Sequence, residues 1–110
     1  KRLTFSQAAT GASGIETLLP LALELFHNDS LKLNKIIKAL TSNPAKILKI
    51  NKGNLSVGND ADFCIVDIYK PWIVKKETLI SKSKNTSIED KKLQGKVTNT
   101  FVKGEELFKI

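Results

Sequence analysis

Residues 41–67 read TSNPAKILKINKGNLSVGNDADFCIVD, and this stretch joins the start of a helix to two short apolar segments. Asn43 can cap a helix whose first residue is Pro44. Proline suits the first helical position, because a backbone N–H there would have no partner within the helix and because its φ is already helical. Two glycines bracket the alternating residues 54–57, and a mostly apolar run follows at 63–66. The stretch therefore predicts a helix followed by two small strands.

Periodic apolar residues extend this picture in both directions. The sequence predicts a loop over 1–14, helices over about 17–28, 33–40 and 44–50, and strands over 71–74, 96–102 and 107–110, the last two as a hairpin. Residues 77–80 are predicted as a turn of helix or an extended segment. The polar residues 81–92 are typical of a surface loop, and loops of this length are uncommon without a structural or functional role. Helices followed by strands predict two parts of different architecture, divided near Lys52.

The composition bounds the class of protein. The chain has 110 residues, ordinary apolar and charged fractions, and a single cysteine, Cys64, which excludes an internal disulfide or cysteine metal cluster. We expect Cys64 to be a buried small hydrophobe. No apolar run approaches the length of a membrane span. The start has neither an initiator Met nor a signal-type pattern, which favours a cytoplasmic protein and a chain cut from something longer.

The net charge of +7 raises the question of nucleic-acid binding. Residues 1–50 carry seven basic and three acidic side chains, and residues 51–110 carry eleven and eight, so the excess is spread along the chain. Aromatic residues are few and do not alternate with the lysines as a stacking platform requires. Only Lys75-Lys76, Lys82-Lys84 and Lys91-Lys92 approach a cluster. A solvated lysine surface is the better interpretation, and a nucleic-acid partner is not expected.

Few residues could carry chemistry. A single histidine, His27, at the polar end of a predicted helix cannot form a catalytic zinc site, and it is typical of a helix C-terminal residue. Asp60 and Asp62 fall at the start of the predicted strand and Asp67 beyond its end, which favours turn roles over a carboxylate cluster. A G-x-x-G pattern, Gly11 to Gly14, precedes a helix and is compatible with anion binding or with plain loop geometry.

Two groups of residues resemble a known family. The tail shared by many amidohydrolases, including dihydropyrimidinases and deaminases, is similar to Thr41-Ser42-Asn43-Pro44-Ala45 followed by Gly53-x-Leu55-x-x-Gly58-x-Asp60-Ala61-Asp62. The bacterial class I dihydroorotase loop resembles Phe5-x-x-Ala8 with Gly11, Gly14, Glu16 and Thr17. The late signature of the same enzymes resembles Ser81-Lys82-Ser83-x-Asn85-Thr86 followed by Leu93-x-Gly95-x-Val97. Together these residues cover nearly the whole chain.

The resemblance implies a fold. The chain would be an α+β fragment: residues 1–51 would form the last active-site loop and final helices of a (β/α)8 metal-dependent-hydrolase barrel, and residues 52–110 the C-terminal strands of a small β-sandwich domain. The zinc ligands and the catalytic aspartate of the family lie upstream, so the resemblance implies no catalytic or metal-binding residue here and no zinc bound by this chain. The loop residues Ala9, Thr10 and Gly11 would help to hold the dihydroorotate ring through backbone groups.

The resemblance also implies two alternative functions. The complete enzyme would hydrolyse dihydroorotate reversibly to N-carbamoyl-aspartate in pyrimidine synthesis, with this chain inactive in isolation. The alternative is a non-catalytic relic or a structural partner of aspartate carbamoyltransferase, motivated by the absent metal ligands and by non-proline residues where the family commonly has proline (Thr4, Ala9, Ser87). Ile88 and Asp90 are two further departures, where the family commonly has phenylalanine and glycine. A missing N-terminal half or a second copy is a further candidate partner, since the lone chain would expose apolar surface and strand edges.

Overall fold

A computed structural model describes residues 4–8 and 10–110, and within them the chain is a small α+β structure of three helices and one antiparallel sheet. None of these helices is long and apolar enough to cross a membrane. The helices are α1 (Leu18–His27), α2 (Leu33–Leu40) and α3 (Ser42–Leu48), and the strands are β1 (Phe63–Ile73), β2 (Lys92–Val102) and β3 (Glu105–Lys109). Short 3-10 turns occupy Ile15–Thr17 and Lys76–Thr78.

Helix α1 packs against β2 and forms the main contact between helices and sheet. Leu23 in the middle of α1 is fully buried. A Cβ added to Gly95 of β2 would lie 2.5 Å from Leu23 Cδ1, and Gly95 has a φ of +115°. Only glycine satisfies both conditions, because a side chain would be strained there and would displace Leu23.

The start and end of α3 differ from the prediction. Asn43 does not cap the helix: α3 begins at Ser42, and the Thr41 carbonyl already accepts a hydrogen bond from the Ala45 N–H at 3.2 Å. Helix α2 ends directly before Thr41, so the turn between the helices is too short to place Asn43 outside α3. The helix ends at Leu48, where Lys49 takes a left-handed φ of 55° as the C-terminal cap, and the predicted end at Asn51-Lys52-Gly53 is wrong.

The strand order is β1-β2-β3, with both neighbouring pairs antiparallel. The apolar runs 63–66 and 71–74 belong mainly to one strand, β1, whose register shifts between Asp67 and Pro71. Asp67 therefore lies inside β1 and not beyond its end, and its carboxylate accepts the Tyr69 N–H at 3.0 Å.

The strand predicted over 54–57 is absent from the described chain. The Asn54 side chain accepts the Ser56 N–H at 3.2 Å, and the Asn59 N–H bonds the Ser56 carbonyl at 3.2 Å. These local bonds use backbone groups that a sheet partner would need, so the polar residues that flank this segment favour turns over a strand.

The prediction that Cys64 is buried is wrong, since Cys64 is exposed. It lies near the start of β1, paired with Thr100, whereas α1 covers β2 around Gly95, further along the sheet. The buried apolar side chains are Leu23, Ile36, Ala45, Val74, Leu79 and Leu93. Many large apolar side chains remain exposed, including Ile15, Ile47, Leu55, Ile65, Leu107 and Ile110.

Candidate functional site

The loop that precedes α1 carries the three residues that the sequence singles out for substrate binding. Ala9 lies outside the described residues. Thr10 and Gly11 are exposed, and Gly11 has a φ of 70°. A Cβ on Gly11 would meet no atom within 4 Å, so its glycine is explained by backbone conformation and not by lack of space.

Asn85 contacts this loop at two points. Its side-chain Nδ2 donates to the Gly11 carbonyl at 2.6 Å, and its own carbonyl accepts the Ser13 N–H at 2.7 Å. The two hydrogen bonds lie on either side of Ala12 in the sequence. One residue, 74 positions away from Gly11, therefore fixes the path of the loop.

The hydroxyl of Ser13 strengthens the same contact. Ser13 Oγ donates to the Ser83 carbonyl at 2.8 Å and lies 3.2 Å from the hydroxyl oxygen of Ser81. The contact with Ser81 is partly buried, whereas the hydrogen bond to the Ser83 carbonyl is exposed. Ser13 thus contacts residues 81 and 83 through its side chain and Asn85 through its main chain.

Glu16 completes the arrangement. Its carboxylate accepts the Ile80 N–H at 3.0 and 3.1 Å and the Ser81 N–H at 3.1 Å. Hydrogen bonds to a charged acceptor are the stronger class. We call the segments 11–16 and 80–85, joined by these bonds, the loop clasp. It accounts for much of the length of the polar segment 81–92, which the sequence left unexplained.

A small recess lies within the loop clasp. Its volume is about 190 Å³, and it is lined by Ala12, Ser13, Gly14, Ile15, Glu16, Thr17 and Ser81. Thr17 is buried and its hydroxyl donates to the Gly14 carbonyl at 3.2 Å, which closes the turn at the base of the recess. The recess has the size of a subsite for part of a ligand, not of a complete enclosed pocket.

The candidate chemistry-bearing residues elsewhere do not gather into a site. His27 occupies the last turn of α1, and its ring centroid lies 5.7 Å from that of Tyr69. In the part of the chain that the structure describes, no group of three or more His, Cys, Asp or Glu side chains is placed to hold a metal ion. No described residue set therefore fits a catalytic zinc.

The aspartates at the start of β1 have structural partners. Lys52 forms ion pairs with Asp60 and Asp62, and Asp62 Oδ1 accepts the Lys103 N–H at 2.8 Å. The hydrogen bond from Lys52, followed by the one from the Lys103 N–H, lowers the pKa of Asp62. Asp62 thus joins the segment after α3 to the turn between β2 and β3.

Two of the lysine clusters are paired with acidic side chains. Lys75 pairs with Asp90, Lys76 with Glu89 at 3.0 Å, and Lys91 with Glu24 at 3.1 Å. The hydrogen bond to Asp90 raises the pKa of Lys75. The clusters at 75–76 and 91–92 therefore include charges that are balanced locally, unlike the stripe that a nucleic-acid interface needs.

The sequence missed the parts of the loop clasp that hold Thr10 and Gly11. Glu16, Ser13 and Asn85 are polar residues without a motif of their own, and Glu16 and Asn85 entered only through the family resemblance. Contacts between residues 64 to 74 positions apart leave no local periodicity. The signal that could have indicated these contacts was the presence of complementary donors and acceptors in the two segments that resemble the family.

Comparison with known proteins agrees with this architecture. The sequence profile of the amidohydrolase family matches residues 6–107, and the chain belongs to this family. Within it, the chain is 42% identical over 102 residues to the dihydroorotase of Aquifex aeolicus (strain VF5), covering 93% of this chain and 24% of that protein. It is 38% identical over 109 residues to the dihydroorotase of Ehrlichia chaffeensis, covering 99% of this chain and 24% of that protein. The chain thus spans about a quarter of the length of these relatives.

Solved structures give the same fold. The L-hydantoinase (dihydropyrimidinase) from Arthrobacter aurescens superposes with a TM-score of 0.84 at 31% identity, over 93% of this chain and 23% of that one. A D-hydantoinase superposes with a TM-score of 0.84 at 21% identity, over 92% of this chain and 22% of that one, which supports the fold alone. The described helices and sheet therefore have the arrangement found in part of larger amidohydrolases.

Proposed function

We propose that this chain acts as the C-terminal quarter of a dihydroorotase-like amidohydrolase. Residues 1–51 would contribute the last active-site loop and final helices of the barrel, and residues 52–110 the C-terminal strands of the sandwich. The assembled enzyme would interconvert dihydroorotate and N-carbamoyl-aspartate by hydrolysis of a cyclic amide, in the cytoplasm. The observation that carries the proposal is the loop clasp, which presents an ordered Gly11 loop in a chain similar to dihydroorotases.

The loop would bind substrate through its backbone. Dihydroorotate is a ring with amide N–H and C=O groups, for which backbone N–H and C=O groups are complementary partners. Thr10 and Gly11 are exposed, and the Gly11 carbonyl is already hydrogen-bonded to Asn85, which leaves the other peptide groups of these two residues as candidate contacts. We assign substrate binding to Ala9, Thr10 and Gly11 from the resemblance to the dihydroorotase loop.

The hydrolytic chemistry would come from outside these 110 residues. A zinc ion held by the rest of the enzyme would supply an activated water. The described residues hold no set of ligands for it, which is why we propose that the chain alone binds no zinc and is inactive. The contribution of this chain is then to bind the substrate ring.

Complementation of a shortened relative tests the proposal. The dihydroorotase of A. aeolicus would be expressed without its C-terminal quarter, alone and together with this chain, and assayed for hydrolysis of dihydroorotate. We expect zinc-dependent activity only when both polypeptides are present. The matched control is this chain with Gly11→Val, which cannot adopt the left-handed loop without strain and should assemble without restoring activity.

Two results would contradict the proposal. One is hydrolysis of dihydroorotate by the purified 110 residues alone, which would mean that the chain holds its own catalytic site. The other is a stable, zinc-loaded complex of the two polypeptides that remains inactive.

That second result would favour a non-catalytic dihydroorotase-like protein or a structural partner of aspartate carbamoyltransferase. A specific observation keeps this alternative in view: Asp90 adopts a φ of 65°, a conformation natural to the glycine that is common there in the family. Ser87, in the same loop, likewise replaces a common proline. Co-purification with aspartate carbamoyltransferase, in the absence of restored hydrolysis, would support it.

A further inference from the structure

We infer that Asn85 is a positioning residue, which sets the affinity for substrate by fixing the Gly11 loop without touching the substrate. This inference rests on the proposed function, since it assigns a role within that site. It places a determinant of binding 74 residues away in sequence from the loop that makes the contact.

The first step is the geometry at Gly11. The hydrogen bond from Asn85 Nδ2 to the Gly11 carbonyl fixes the plane of the peptide between Gly11 and Ala12. Glycine at a φ of 70° has no Cβ to limit rotation, so an unrestrained loop would sample other conformations at this point. The hydrogen bond therefore selects the orientation of the neighbouring peptide groups.

The second step is the bond on the other side of Ala12. The Ser13 N–H donates to the Asn85 carbonyl at 2.7 Å, so the side chain and the main chain of one residue hold the loop at two points. Two restraints separated by one residue define the position and the direction of the loop. A single restraint would leave it free to rotate.

The third step concerns what holds Asn85. Its segment is fixed by the three hydrogen bonds to the Glu16 carboxylate and by the bond from Ser13 Oγ to the Ser83 carbonyl. The preceding residue, Leu79, is buried in the core. The segment that carries Asn85 is thus tied to the turn before α1 through Glu16, and the buried Leu79 attaches its start to the core.

The Asn85 side chain should therefore affect substrate binding and not the chemical step. The Asn85 side chain hydrogen-bonds the loop, so we expect its loss to weaken binding of the ground state and of the transition state to the same extent. Such a change raises KM and leaves kcat unaltered. Because a displaced loop loses about one hydrogen bond to the substrate, we expect KM to rise about tenfold.

The test uses the complex of this chain with the shortened A. aeolicus dihydroorotase. Asn85→Asp keeps the size of the side chain and replaces the donor that faces the Gly11 carbonyl by an acceptor. Asn34→Asp on the exposed surface of α2 is the control for the added negative charge. We expect KM for dihydroorotate to rise about tenfold in N85D, with kcat within about twofold and zinc content unchanged, and no change in N34D.

The possible outcomes test the role of Asn85 and the proposed function separately. An active wild-type complex in which N85D leaves KM unaltered, or lowers kcat alone, overturns the role of Asn85 and leaves the proposed function standing. An assembled but inactive wild-type complex overturns the proposed function and this inference with it. If N85D fails to assemble, Asn85→Ala, which removes the same donor without adding a charge and keeps the main-chain carbonyl, decides the matter by the same split between KM and kcat.

Discussion

The Glu16 carboxylate accepts the backbone N–H of Ile80 with both oxygens, at 3.0 and 3.1 Å, across 64 residues of sequence. This contact joins the 3-10 turn before α1 to the segment that connects β1 with β2. It has a structural consequence because residues 80–85 include a single apolar residue, Ile80, and that side chain is exposed. The loop clasp therefore depends on polar contacts more than on the hydrophobic core.

Glu16→Gln should destabilise the chain by about 2 kcal/mol. The substitution keeps one oxygen but places an amide donor where the Ile80 and Ser81 N–H groups need an acceptor. Urea-induced unfolding at fixed protein concentration, followed by the fluorescence of Trp72, measures the free energy of unfolding. The control Glu77→Gln removes the same charge from an exposed turn, and an equal loss in both variants would show that charge alone is responsible.

Gly95→Ala should destabilise the chain by about 2–4 kcal/mol, because it adds a clash with Leu23 to an unfavourable φ. Leu23→Ala should cost about 2–5 kcal/mol by leaving a cavity. The double variant should cost less than the sum, by about 1 kcal/mol, since the smaller residue 23 makes room for the new methyl group. Strict additivity in thermal or denaturant unfolding would show that the two residues do not share a contact.

Asp62 should contribute to stability at neutral pH and lose that contribution in acid. Its pKa is lowered in the folded state, so the contribution is complete above the unfolded pKa, about 4, and disappears as the pH falls through the folded pKa. Asp62→Asn should therefore lower the melting temperature at pH 7 and flatten its decline below about pH 4. Asp29→Asn, an exposed position with a left-handed φ that asparagine tolerates, should leave the pH profile unchanged.

The chain alone should self-associate or aggregate. Large apolar side chains such as Ile15, Ile47 and Leu55 are exposed, and the outer edges of β1 and β3 have no partner strand in the described sheet. Light scattering coupled to size exclusion should show species larger than a monomer, which decrease when the shortened dihydroorotase is added. A monomeric chain that melts cooperatively at low concentration would contradict this prediction.

Local pattern was sufficient for most of the elements. The spacing of Leu18, Ala22 and Leu25 predicted α1, and the β-branched alternation after Lys96 predicted most of β2. Local pattern failed where contacts between residues distant in sequence determine the structure. Cys64 is apolar by pattern but lies on a part of the sheet that no described helix covers, and the turn around Thr41, not the cap potential of Asn43, sets the start of α3.

The candidate site divides in the same way. The Gly11 loop was found because its residues resemble a family motif over a short stretch. The roles of Glu16 and Asn85 could not be read from the sequence, because a hydrogen bond between distant segments requires only one donor and one acceptor. Many side chains in a chain of this composition meet that requirement, and only the fold selects the pair that meets.

The loop clasp also has a consequence for the order in which parts of the chain fold. Bringing Gly11 to Asn85 closes a chain segment of 74 residues, and such closure loses much entropy before any contact compensates. Packing of α1 on β2 brings the residues before α1 close to the β1–β2 connection, after which the Asn85 contacts can form at lower entropic cost. The Gly11 loop should therefore acquire its conformation among the last steps of folding. A chain with a misassembled sheet would then lack the loop conformation proposed to bind substrate.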